Sequence, residues 1–81
     1  MYDFYFTFRS MTAAQQAALT LLQFSVDAEF VRAPRQFSQM GCGYAVRTRH
    51  EDAYRAGMIL RQQGISFERG IRWDNWAVGY Q

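Results

Sequence analysis

Cys42 is the only cysteine of the 81-residue chain and stands between two glycines, in Met40-Gly41-Cys42-Gly43-Tyr44. A lone thiol makes no internal disulfide, so it either packs as a small apolar side chain or reacts with something outside the chain. The flanking glycines carry no Cβ, which lets the backbone take positive φ and lets another molecule come close to the sulfur. Just upstream, Pro34-Arg35-Gln36-Phe37-Ser38 makes a stiff, basic and polar approach to the same place. Glycine amides near Cys42 can form an anion-binding concavity, and Arg35, with Arg47 or Arg49, adds positive field. Both effects favour thiolate over thiol, and thiolate is the nucleophile. Such a group could take up a sulfane sulfur or selenium atom, or form a mixed disulfide, and hand it on. From spacing alone the plainer alternative, a buried cysteine beside two turn glycines, stays open.

Few other residues offer chemistry. His50 is the only histidine. With Cys42 it makes at most two soft ligands, where zinc usually takes four, so no metal or cofactor is implied. As a base for Cys42 it is badly placed. The two would bracket one strand, roughly 20 Å or more apart at about 3.3 Å per residue, so the pair survives only across a dimer interface. No Gly-rich phosphate motif, paired carboxylates or Ser-His-Asp order stands out. Asp3, Asp27, Glu29 and Glu68 read as strand-end or surface charges. A carrier or binding protein fits better than an enzyme.

The elements that must position Cys42 follow from periodicity. Phe4, Phe6 and Phe8 alternate with Asp3, Tyr5, Thr7 and Arg9, the period of a strand with one buried face. Ser10 or Thr12 can cap a helix, and Ala14, Ala17, Ala18, Leu21 and Leu22 make its apolar stripe; its end is expected near Phe24 and Ser25. Val26, Ala28 and Phe30 then alternate with Asp27, Glu29 and Val31 as a second strand, which Pro34 must stop. Residues 35–41 read as a loop, and a third strand starts near Gly43. Thr48-Arg49-His50-Glu51 has the form of a capping box. It opens a helix with Ala53, Ala56, Gly57 and Leu60 on one face and Gly64 as a left-handed C-cap. Ile65, Phe67, Ile71 and Trp73 mark a fourth strand, and the aromatic tail 74–81 has no clear place. The order β-α-β-β-α-β predicts a single α+β domain over residues 1–81. It is ferredoxin-like, with a four-stranded antiparallel sheet and two helices on one face. The segment around residues 34–43 would be an exposed loop at one end of that sheet.

Composition bounds the rest. Hydrophobic residues are 49% and aromatic residues 17% of the chain, enough for a core. All nine basic residues are arginine, but they are scattered, and a net charge of +2 is weak for nucleic-acid binding. No apolar run is long enough to span a membrane. A lone cysteine with no signal-like N-terminus suits a reducing cytoplasm.

Three stretches, in order, resemble a known family. They are Thr7-Phe8-Arg9-Ser10, Pro34-Arg35-Gln36-Phe37-Ser38 and Cys42-Gly43-Tyr44-Ala45-Val46-Arg47. Together they resemble the small bacterial selenium/sulfur carrier protein-like domains, over about residues 2–67. The resemblance implies that Cys42 is the carrier thiol, with Arg35, Ser38 and Gly43 beside it. It also implies two partners, a protein that donates sulfur or selenium, such as a cysteine desulfurase, and a protein that accepts it. The stretch Gln39-Met40-Gly41 is one residue longer than the family form, which could shift how Ser38 and Arg35 face the sulfur. Two other readings stand beside it. One is a ligand-sensing or interaction module that dimerises through an apolar patch of outward-facing Tyr5, Trp73, Trp76 and Tyr80. The other is an RNA-recognition domain stacking bases on sheet aromatics. The phase of Val46 and Phe4, which turns Tyr44 and the Phe4-Phe6-Phe8 row toward the helices, speaks against the last.

Overall fold

The computed structural model describes residues 2–33 and 43–72. Its strands are β1 (Phe4–Phe8), β2 (Glu29–Arg32), β3 (Tyr44–Thr48) and β4 (Arg69–Arg72). Its helices are α1 (Met11–Gln23) and α2 (Ala53–Gln62), the latter entered through a short 3₁₀ turn, His50–Asp52. The strands form one antiparallel sheet in the order β2-β3-β1-β4. This is an α+β architecture. Because β1 is central, its period-two pattern sorts the whole sheet into two faces. Phe6 and Phe8 point into a core shared with Ala14, Ala17, Ala18 and Leu21 of α1 and Ala56, Ile59 and Leu60 of α2. Val46 of β3 joins the same cluster, and Phe4, Phe30, Tyr44 and Phe67 pack at its margin. The aromatic row of β1 and Tyr44 therefore turn toward the helices, as their phase predicts.

Local signals explain the helix limits. Ser10 caps α1 through its hydroxyl, which accepts from the Ala13 amide at 3.3 Å. Both helices then end in the same way. The Ser25 amide donates to the Leu22 carbonyl and the Val26 amide to that of Leu21; the Gly64 amide donates to Arg61 and Ile65 to Leu60. Each pair is a Schellman closure around one left-handed residue, Ser25 at φ 63° and Gly64 at φ 75°. The residue after each, Val26 or Ile65, is buried in the core. These closures also account for two late strand starts. Val26 and Ile65 are spent on capping and core filling, so β2 begins at Glu29 rather than Val26, and β4 at Arg69 rather than Ile65.

Two expectations are corrected. No capping box forms at Thr48: neither Arg49 nor Asp52 supplies a side-chain cap. Thr48 is instead the last residue of β3, fully buried, with its hydroxyl donating to the Arg49 carbonyl at 3.2 Å. Tyr5 faces away from the helices but is not exposed: only 3% of it reaches solvent. It clusters with Ala45, Val31, Ala33 and Ile71, and its hydroxyl bonds Arg47. Trp73, Trp76 and Tyr80 lie outside the described residues.

The two C-caps make a paired prediction. Ser25→Gly relieves a left-handed non-glycine residue and should raise stability by about 1 kcal/mol, whereas Gly64→Ala should lower it by about as much. Urea unfolding midpoints of the two variants check the opposite signs.

Candidate functional site

Four of the residues singled out in the sequence, Arg35, Ser38, Gly41 and Cys42, lie outside the described residues, and the fifth, Gly43, lies inside. What can be built is the frame on which they are carried. β2 and β3 stay paired to their ends: Arg32 lies opposite Tyr44, and the Ala33 amide donates to the Gly43 carbonyl at 3.1 Å. Residues 34–42 are thus anchored on one hydrogen-bonded pair at one end of the sheet. A Cβ built at Gly43 would meet no described residue within 4 Å.

The arginines on β2 and β3 and just beyond divide into matched and unmatched charges. Arg47 Nε donates to Glu29 Oε1 at 2.7 Å. Burial pulls its pKa down, but the bonds to Glu29 and Tyr5 outweigh that and hold it above the usual arginine value. Arg49 pairs with Asp27 at 3.0 Å, at the far end of β3. Both charges therefore already face a carboxylate. Arg32, which sequence reasoning passed over, has its guanidinium 5.9 Å from the centroid of the Tyr44 ring, beside the Ala33–Gly43 pair. It has no carboxylate partner among the described residues.

Thr7 is a second residue that the sequence did not flag as active. Its side chain is fully buried on the Tyr5 face, opposite Ala45, and its hydroxyl has no hydrogen-bond partner among the described residues. Thr7 lies across from Ala45, and Ala45 and Gly43 are alternate positions along one strand, so the three share the Tyr5 face of the sheet. A buried hydroxyl without a partner is uncommon and costs stability.

Asp3 is the third. It is not a surface charge: 4% of it is exposed. One carboxylate oxygen accepts from the His50 backbone amide at 2.8 Å, and the other lies 2.8 Å from His50 Nδ1 and 3.5 Å from Arg72 Nε. Asp3 therefore supplies the cap that the Thr48 motif does not, from 47 residues away in sequence. Burial pushes its carboxyl up, but the two His50 bonds and the His50 and Arg72 charges together hold it below 3.8. Nothing local in the sequence marks this pair. The signal was only an acidic residue one position before a strand and a histidine inside the Thr48–Glu51 motif.

A stacking platform of the RNA-recognition kind needs exposed aromatics on the outer face of the two central strands. Here Tyr5 is buried and Tyr44 packs toward the helices. Among the described residues no cluster of three or more His, Cys, Asp or Glu could hold a metal ion, and no helix is long and apolar enough to cross a membrane.

Comparison with protein families matches residues 3–71 to a model described as "Putative Se/S carrier protein-like". That span includes β1 through Ile71 of β4 and all of residues 34–43. Neither the search of curated proteins nor that of solved structures returned a match.

Two substitutions read these groups. A carboxylate that titrates below its ordinary value supplies stability that is complete above that value and fades as the pH falls through it. Asp3→Asn should thus cost about 2 kcal/mol at pH 7, and its gap from wild type should narrow below about pH 4. Urea melts at pH 7 and pH 3 measure this, and an equal gap at both would show that charge plays no part. Thr7→Val removes an unpaired hydroxyl at nearly constant volume and should raise the midpoint by about 1 kcal/mol. A loss of stability instead would mean that the hydroxyl has a partner in solution.

Proposed function

Because the chain belongs to the selenium/sulfur carrier protein-like family, we propose that it carries a sulfane-type sulfur or selenium atom on Cys42. The observation that carries the proposal is the family match over residues 3–71, which spans the only thiol in the chain. The frame supports it: β2 and β3 stay hydrogen-bonded to Ala33 and Gly43, so the segment with Cys42 is held at the end of a rigid sheet. The same reading takes the architecture as ferredoxin-like, supported by the strand order β2-β3-β1-β4 and by a helix after β1 and another after β3.

The chemistry needs no added oxidant. The Cys42 thiolate attacks the outer sulfur of a donor persulfide, and a new S–S bond forms at Sγ. The donor's own S–S bond breaks, and its electron pair leaves on the donor thiolate, which takes up a proton. Transfer to an acceptor nucleophile reverses these steps. Arg35 and Ser38 would attend the terminal anionic sulfur, with Gly41 and Gly43 leaving it open to the partner. Arg32, with no carboxylate partner among the described residues, adds positive charge at the same end and favours thiolate. The partners are a donor protein and an acceptor protein, met in a reducing cytoplasm where thiols stay reduced.

Incubation with a persulfide donor followed by intact mass measurement tests this. One added sulfur on wild type, none on Cys42→Ala, and removal of the mass by dithiothreitol are expected. A Cys42 thiol that neither gains the atom nor alkylates in the folded protein would overturn the carrier reading.

A further inference from the structure

Away from residues 34–43, a groove of about 530 Å³ runs between α2 and the β1–β4 half of the sheet. Its floor is aromatic. Phe4 and Phe6 lie with centroids 5.1 Å apart, and Phe6 and Phe67 meet edge-on at 4.8 Å. Two glycines keep it open. Gly57 lies over Phe6, where a Cβ would sit 3.8 Å from the ring, and Gly70 lies under Phe4, where a Cβ would come within 3.1 Å. At the rim stands Tyr54, 81% exposed.

The groove has polar groups at both ends. Thr48 pairs with Phe4, so His50, two residues on, lies at the Phe4 end. The Glu68 amide donates to the Thr7 carbonyl, so Phe67 and Arg61 mark the other end. Ala53, Gly57 and Arg61 follow one another at four-residue steps along α2, spanning about 12 Å. Asp3, buried, holds His50 by both the backbone amide and Nδ1. This fixes the ring and puts a proton on Nδ1, so Nε2 is the nitrogen left for a ligand. Arg61 lies 5.9 Å from the Phe67 centroid and has no carboxylate partner among the described residues. Among the described residues no acidic side chain lines the groove.

We propose that this groove binds a small flat aromatic acid. Its ring lies against the half-buried Phe4 and Phe67 beneath Tyr54, its carboxylate meets Arg61, and a polar group at its other end meets His50 Nε2. Charge selects the acid, because Arg61 is cationic and no carboxylate among the described residues lines the groove. The half-buried rings of Phe4 and Phe67, with Phe6 buried behind them, select a planar aromatic body. The site does not depend on the carrier reading, and Cys42→Ala leaves it intact.

The test is a titration with 6-hydroxy-2-naphthoate, followed by the backbone amide NMR signals of Gly57 and Gly70. Saturable shifts are expected, with a Kd of about 1 mM or below for a probe of this size. Arg61→Gln should weaken binding roughly tenfold, the loss of one charge-assisted bond. The amide analogue 6-hydroxy-2-naphthamide should lose a similar factor on wild type, and 2-naphthoate, which lacks the hydroxyl, should bind a few-fold more weakly. Gly57→Leu fills the groove and should abolish the shifts while thermal unfolding stays cooperative; if that variant does not fold, Arg61→Gln and the amide decide alone. Shifts that do not saturate by about 10 mM overturn the proposal. So does equal binding of acid and amide, or an affinity unchanged in Arg61→Gln.

Discussion

The two-residue alternation of β1 is the constraint on which the rest of this structure depends. The strand is central, paired with β3 on one side and β4 on the other. Its even positions supply Phe6 and Phe8 to the helix-side core, and its odd positions supply Tyr5 and Thr7 to the opposite face. A slip of one residue would exchange those sets and leave three phenylalanines on the wrong side. The residue just before the strand is equally committed. Asp3 can reach the His50 amide only because its own amide is bonded to the Thr48 carbonyl, at 3.1 Å. The register of β1 on β3 thereby sets where the 3₁₀ turn and α2 begin.

Around that strand the two halves of the molecule repeat one solution. A helix ends in a left-handed residue, the next residue drops into the core, and a short edge strand follows. The first half places serine at the left-handed position and the second half glycine. The halves are tied where they meet: Arg55 of α2 donates to the Phe24 carbonyl at the end of α1, at 2.8 Å. β2 and β3 stay hydrogen-bonded as far as Ala33 and Gly43, the described residues on either side of 34–42.

Much of this was legible in residue order. The strand of phenylalanines, the Ser10 cap, the ends of both helices and the inward turn of Tyr44 follow from periodicity and cap chemistry, both of which are local. The strand starts at Val26 and Ile65 were misread because an apolar residue after a helix serves the Schellman closure as readily as a strand. The Thr48 motif was misread for a related reason. A capping box needs its hydroxyl at a helix start, and here the sheet claims Thr48 while a distant carboxylate takes its place. Of the candidate thiol site, the sequence identified the residue types and the anchoring strands. Cys42, Arg35, Ser38 and Gly41 lie outside the described residues, and of the set only Gly43 is placed.

The sequence by itself determined the number and kind of elements, which face of β1 is buried, and which residue is the lone thiol. Each of these depends on neighbours within one or two turns of chain. Only the tertiary structure decided the roles of Asp3, Thr7, Tyr5 and Arg61. Asp3 became a buried cap, Thr7 a buried hydroxyl with no partner among the described residues, Tyr5 a buried ring bonded to Arg47, and Arg61 the charged end of an aromatic groove. Those roles depend on burial and on partners 40 or more residues away in three of the four cases. Desolvation and long-range pairing are set by which strands lie side by side, and no local pattern carries that information.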